Sequence, residues 1–160
     1  MNKWSNKSQI RLDSCHPDIV KIFNAVLPNY DCTVLEGSRL TSRQIQLFKE
    51  GKSKLDGINN LSNHQVTIEE PLSKAIDIVP YPIPNKWGEI DLRDRANIKY
   101  QSRELAEFYF FAGHVMAVAD ELLRRGEITH KLRWGGDWSS DNDLNDQTFF
   151  DLPHYEIIEV

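Results

Sequence analysis

The sequence is short of cysteine, has no block of one charge sign and no long apolar run, and each shortage excludes a class of protein. Cys15 and Cys32 are the two cysteines in 160 residues, and neither sits in a C-x-x-C pattern. A disulfide-stapled scaffold is therefore excluded, and in a reducing compartment the two thiols read as small buried apolar groups. Lys and Arg concentrate nowhere, and the formal net charge is −5. Duplex binding rests on a basic face that neutralises phosphates, so neither nucleic acid nor an anionic membrane surface is an expected partner. The most apolar stretch, Phe108 to Ala119, is interrupted by His114 and falls well short of a membrane span, so no membrane insertion is expected. Met1 to Ser8 is polar and holds no apolar signal segment, which sets the expectation of a cytoplasmic start. Repeats and Gly-, Ser- or Pro-rich linkers are missing too. Residues 1–160 are accordingly read as a single domain with no separate module.

What is present is an ordinary globular composition, 40% hydrophobic and 27% charged. Pro17 followed by Ile19, Ile22, Phe23 and Val26 predicts a helix with one apolar face. Residues 31–36 have strand composition and end at Gly37; Thr41 with Gln44 three residues on predicts a capping box opening a helix to about Glu50. Residues 51–73 lack a period and read as a long functional loop. Ala75 to Val79 alternates as a strand, with Ala75, Asp77 and Val79 on one face and Ile76 and Ile78 on the other. Leu105, Phe108, Ala112, Met116, Ala119 and Leu123 recur at helical spacing and predict a helix over about 101–125, stopped by Gly126. Short strands are expected at 130–134 and 154–158. The fold class is α+β, a small antiparallel sheet packed by helices.

Asp77 is the residue hardest to explain blandly. A carboxylate in the middle of an apolar strand must face water or have a partner that offsets its desolvation. His64 lies in the loop feeding that strand, and His154 opens the last strand three residues after Asp151. Two imidazoles and a carboxylate make a catalytic zinc set with a fourth position left for water, and a nearby carboxylate such as Asp151 can take that water's proton. Dispersed trios of this kind are nonetheless more often surface or capped histidines, and no H-E-x-x-H motif is present. His16 is expected to cap or pack, His114 to be a satisfied core or boundary histidine, and His130 to be exposed.

Ser62-Asn63-His64, then Ala75-Ile76-Asp77, then Trp134-Gly135-Gly136-Asp137-Trp138, then Asp151-Leu152-Pro153-His154-Tyr155-Glu156, together resemble the VanY and endolysin class of zinc peptidases. That class carries S-x-H, A-x-D, W-G-G-D-W and D-x-P-H-F-E in this order. Gly37-Ser38-Arg39, Gln44 and Gly51-Lys52-Ser53 match its upstream G-x-R, Q and G-x-S elements, so the resemblance runs from about residue 8 to the end. It implies a VanY/hedgehog-like metallopeptidase architecture and one Zn2+ held by His64, Asp77 and His154. It further implies Asp151 as the residue activating water and Arg39 as the arginine facing substrate. The W-G-G-D-W version looks most like the phage endolysin branch, L-alanyl-D-glutamate endopeptidases acting on the peptidoglycan stem peptide. The implied protein is a monomeric bacteriolytic enzyme that waits in the host cytoplasm before release to the cell wall.

A D-alanyl-D-alanine carboxypeptidase of the same class is the nearest alternative, and a non-catalytic wall-binding module a more distant one. The chain departs from the class between the first ligand and the second. Twelve residues, Gln65 to Ile76, intervene there, with Ser73 at the usual Gly position. Loop insertions cost little closure entropy, so this one is expected to form a lip over the cleft and leave the metal site intact. Trp134 and Trp138 are open between core and cleft. Asp137, Asp141, Asp143 and Asp146 alternate like a calcium loop, without an EF-hand's Gly and Glu; a second, structural cation such as Ca2+ is a secondary expectation there. Glu156 alternates with His154 and is placed to steady it.

Overall fold

The computed structural model describes residues 1–84 and 98–160, with side chains described for 1–84 and 105–160. Among the described residues eight elements follow one another: α1 (Asn6–Leu12), α2 (Pro17–Val26), β1 (Cys32–Glu36), α3 (Thr41–Lys49), β2 (Ala75–Pro80), α4 (Ile98–Arg124), β3 (Lys131–Trp134) and β4 (His154–Ile158). The strands form one antiparallel sheet in the order β1-β2-β4-β3.

One face of the sheet is dry. Val34, Ile76, Ile78, Leu132, Tyr155 and Ile157 project from it into a layer made by α2 and α4. The apolar stripe of α2 supplies Ile19, Ile22, Phe23 and Val26, all fully buried, and α4 answers with Phe108, Phe111, Val115 and Ala119. Burying such a side chain contributes about 1.5–3 kcal/mol, so this layer supplies most of the driving force that flattens the sheet against its helices. Strand alternation then sends Asp77, Arg133, His154 and Glu156 to the opposite face.

β1 reaches that polar face through an irregularity. Val34 pairs with Ile78, but Glu36 rather than Leu35 pairs with Asp77, so Leu35 is the extra residue of a bulge. The bulge re-aims Glu36 from the core side to the Asp77 side.

Two local expectations need correction, and one helix is new. The capping box at Thr41 does not form: Leu40 occupies the N-cap position with no side-chain cap bond, and Thr41 is the first helical residue. Gln44 is instead fully buried and turned to other work. α1, a helix that no periodic signal predicts, is capped by Ser5 and buries only Ser8 and Leu12. His130 is not simply exposed; its Nδ1 lies 2.8 Å from Asp18 Oδ2.

Candidate metal centre and cleft

The polar face of the sheet is the floor of a cleft of about 630 Å3. Asp77 stands at its middle, because β2 and β4 pair with Asp77 opposite His154. His64 arrives from the loop after α3, 2% exposed, and is locked by its backbone: its carbonyl accepts the Arg39 N–H at 2.7 Å. The ends of the insertion are tied as well, since Lys74 N–H donates to Asn63 C=O at 2.9 Å. Ser73 is fully buried and its hydroxyl donates to Ala75 C=O at 2.6 Å.

Three donor atoms meet here. His64 Nε2 lies 3.2 Å from Asp77 Oδ1 and 3.3 Å from His154 Nδ1, and His154 Nδ1 lies 3.2 Å from the same Asp77 oxygen. The opposite nitrogen of each ring has its own acceptor: His64 Nδ1 meets Gly37 C=O at 2.8 Å, and His154 Nε2 meets Glu156 Oε2 at 3.0 Å. Each imidazole that spends its proton outward turns a lone pair inward, where Asp77 adds an anion. Three lone pairs converging without a proton between them repel one another unless a cation sits among them. Tetrahedral donors at 2.0–2.1 Å from an ion are about 3.3 Å apart, which is the size of this triangle. His64, Asp77 and His154 therefore fit a zinc-type ion in donor chemistry and in spacing.

The charges agree. Burial pushes the Asp77 carboxyl up, but its contacts with His154 and His64 outweigh that and hold it well below the ordinary carboxylate range. Burial lowers His154, while Asp77 and Glu156 more than compensate and bring it up to about 9. Glu156, 4% exposed, is raised by burial, then brought down to about 2 by His154, Asn63 and Arg133. Asn63 Nδ2 donates to it at 2.8 Å, and Arg133 donates through Nε at 2.8 Å.

Asp151 lines the cleft and makes no side-chain hydrogen bond among the described residues; burial and the neighbouring Asp77 charge push its pKa up. Its position is set by backbone, because Asp151 N–H donates to Gly135 C=O and His154 N–H donates to Asp151 C=O. Gly135 has to be glycine for this approach: a Cβ there would stand 2.3 Å from the Asp151 carbonyl oxygen.

Arg39 is held rather than free. Its guanidinium pairs with Glu36, donates to Gln44 Oε1 at 2.7 Å and lies 3.8 Å from Asp77 Oδ2. Gln44 in turn donates to Ser53 Oγ at 2.8 Å and Leu55 C=O at 2.7 Å. The separate G-x-R, Q and G-x-S elements of the sequence are thus one network joining β1, α3 and the loop that follows it.

Sequence reasoning missed Asn63 and Arg133, whose partner Glu156 lies 93 and 23 residues away, and Glu36, which reaches Arg39 on the polar face through the bulge. The two tryptophans divide: Trp134 is a core residue, 5% exposed, donating to Leu152 C=O at 2.8 Å. Trp138 walls the cleft, stacked on His154 at 5.4 Å and beside Phe149 at 5.9 Å. Residues 65–72 do not line the cleft, so the insertion is not its lip; Ile68 at its tip is 95% exposed. Residues 51–55 and Phe149 border the cleft instead.

The acidic loop does not gather its carboxylates either. Asp137 accepts from Ser140 and Asn142 N–H, Asp141 from Asp143 N–H, and Asp143 from Asn145 N–H. These short-range bonds satisfy the loop's own backbone. Among the described residues only His64/Asp77/His154 and His16/Asp18/His130 bring three donor side chains together.

A His–Asp–His triangle on a sheet floor, with an unpaired carboxylate beside it and an open cleft above, has the make-up of a hydrolase that uses a metal ion. The chain belongs to the phage L-alanyl-D-glutamate peptidase family, whose model matches residues 1–158. It is a peptidase of peptidoglycan. Among solved structures, the L-Ala D-Glu endopeptidase ChiX of Serratia marcescens is similar in fold, with a TM-score of 0.57 and 20% identity over 97% of this chain and 89% of that one. No curated protein matches the chain. No helix among the described residues is long and apolar enough to cross a membrane.

Proposed function

We propose that the chain is a zinc-dependent L-alanyl-D-glutamate endopeptidase that cuts peptidoglycan stem peptides as a phage endolysin. The observation that carries this reading is the 3.2–3.3 Å triangle of His64, Asp77 and His154 beneath the cleft, in a chain of that family. These three residues hold the zinc, and Gly37 C=O and Glu156 fix the orientation of the two rings. Zinc bound there supplies Lewis acidity, which acidifies water towards neutral pH and polarises the scissile carbonyl. Asp151 receives the proton of the attacking water on its free carboxylate and passes it to the amine nitrogen as the C–N bond breaks. Arg39, anchored by Glu36 and Gln44, presents a fixed positive charge to the oxyanion. Trp138 and Phe149 supply an apolar wall that grips the peptide and limits water. In this reading the enzyme acts as a monomer and accumulates in the host cytoplasm until another protein gives it access to the wall.

The test is the identity of the termini released from purified peptidoglycan. Mass spectrometry should find new amino-terminal D-glutamate and new carboxy-terminal L-alanine. Release of D-alanine alone would mean a carboxypeptidase, and intact stems with bound protein would mean a wall-binding module; either overturns the proposal.

A further inference from the structure

The second donor cluster lies outside the cleft and none of its residues lines it. His16 is the N-cap of α2, Asp18 sits in the first turn of that helix, and His130 precedes β3, 112 residues from Asp18. One donor atom from each lies within 4.8 Å of the other two, and the rings of His16 and His130 meet edge to face at 4.8 Å. We propose that His16, Asp18 and His130 form a second divalent-metal site, which clamps the start of α2 to the turn between α4 and β3.

The carboxylate is held in advance of any ion. Asp18 is a buried side chain whose Oδ2 accepts Thr129 N–H at 2.9 Å, Thr129 Oγ1–H at 3.1 Å and His130 N–H at 3.1 Å. His130 Nδ1 also lies 2.8 Å from that oxygen, and the tautomer that carries its proton on Nε2 turns the Nδ1 lone pair towards the carboxylate. Oδ1 accepts no hydrogen bond among the described residues. A buried carboxylate with one oxygen committed and the other open, beside two imidazoles, is a preorganised ligand set. Its immobilisation cost is met by the fold and not by the ion. Imidazole is a poor ligand for hard cations, so the set selects Zn2+, Ni2+ or Cu2+ over Mg2+ or Ca2+. His16 Nδ1 accepts Asp18 N–H at 3.2 Å, a long cap bond that competes with coordination. That competition makes this the weaker of the two sites.

The test titrates the metal-stripped protein with Zn2+ alone, by calorimetry and by metal content after gel filtration. Wild type should take up two ions per chain, the second more weakly and with a further rise in Tm. His16→Asn and His130→Asn place an amide where Nδ1 stood, preserving the cap and the Asp18 contact, and each should take up one. His64→Ala, which strikes the cleft instead, should keep the weaker ion. Two ions retained in both Asn variants, or a single wild-type ion that His64→Ala abolishes, would make the cluster a hydrogen-bonded cap and overturn the proposal. Because His64→Ala reports on the cleft alone, failure of that site and failure of this one are distinguishable.

Discussion

Replacing Asp151 with Asn separates chemistry from architecture at the floor of the cleft. The side chain carries no hydrogen bond among the described residues, and its backbone is pinned by Gly135 and His154, so an isosteric amide disturbs no contact. Stability should stay within about 0.5 kcal/mol of wild type under zinc. In the metal-free protein the sign is favourable. Burial and then Asp77 raise the folded pKa above the unfolded value, so the wild type loses stability as pH rises through that carboxyl's range. The amide does not ionise and escapes that loss. Activity should fall steeply, because a positioned proton acceptor contributes about 10²–10⁴ in rate, or roughly 3–5 kcal/mol of barrier. Soluble muropeptide release at saturating zinc, with bound metal measured on the same sample, gives the comparison. A variant that holds its ion and works within tenfold of wild type would refute Asp151 as the base. Loss of the ion would place Asp151 among the ligands.

Glu156→Gln keeps the shape but removes the charge that His154 Nε2 and Arg133 both face; zinc affinity measured by competition with a chelator should drop about 10–100-fold, and unchanged affinity would show that ring orientation comes from packing alone. Gly135→Ala drives a Cβ to 2.3 Å from the Asp151 carbonyl; the expected loss is about 1–3 kcal/mol by denaturant unfolding together with reduced turnover, and a wild-type Tm would contradict the close approach. Asp56 accepts the backbone N–H groups of Asn60, Ile58 and Asn59, which bring its pKa down to about 2. Its ionised form therefore supports the 56–60 turn above the unfolded value near 3.8, and that support is lost as pH falls through about 2. A carboxyl NMR titration with a midpoint near 4 would show the turn to be open.

Periodic signals carried most of the architecture. α2 and α4 each put a continuous apolar stripe against the sheet, and β2 alternates because one of its faces is dry. The same alternation made Asp77 conspicuous, and β4 and the loop after α3 give it the two imidazoles that its position demands. α1 was not legible because it buries only Ser8 and Leu12, which leaves no stripe to read. The Thr41–Gln44 pair mimics a capping box, yet Gln44 forms longer-range bonds to Arg39, Ser53 and Leu55 that no local pattern encodes. The insertion after Gln65 looked like a cleft element from its place between two ligands. Its ends are tied together at Asn63 and Lys74, which turns the intervening chain outwards. Trp134 and Trp138 share a motif but fall on opposite sides of a tight turn, one in the core and one over His154.

β4 follows the other described elements in sequence yet is an interior strand, lying between β2 and β3. A growing chain that has not yet delivered residues 154–158 lacks the strand that joins the sheet's two halves. It also lacks His154 and the Glu156 that orients it. The sheet and the His–Asp–His triangle are therefore completed in one step, when β4 is delivered. Any product of premature termination or of proteolysis ahead of Asp151 is left with two unsatisfied β-edges and without one corner of the His–Asp–His triangle.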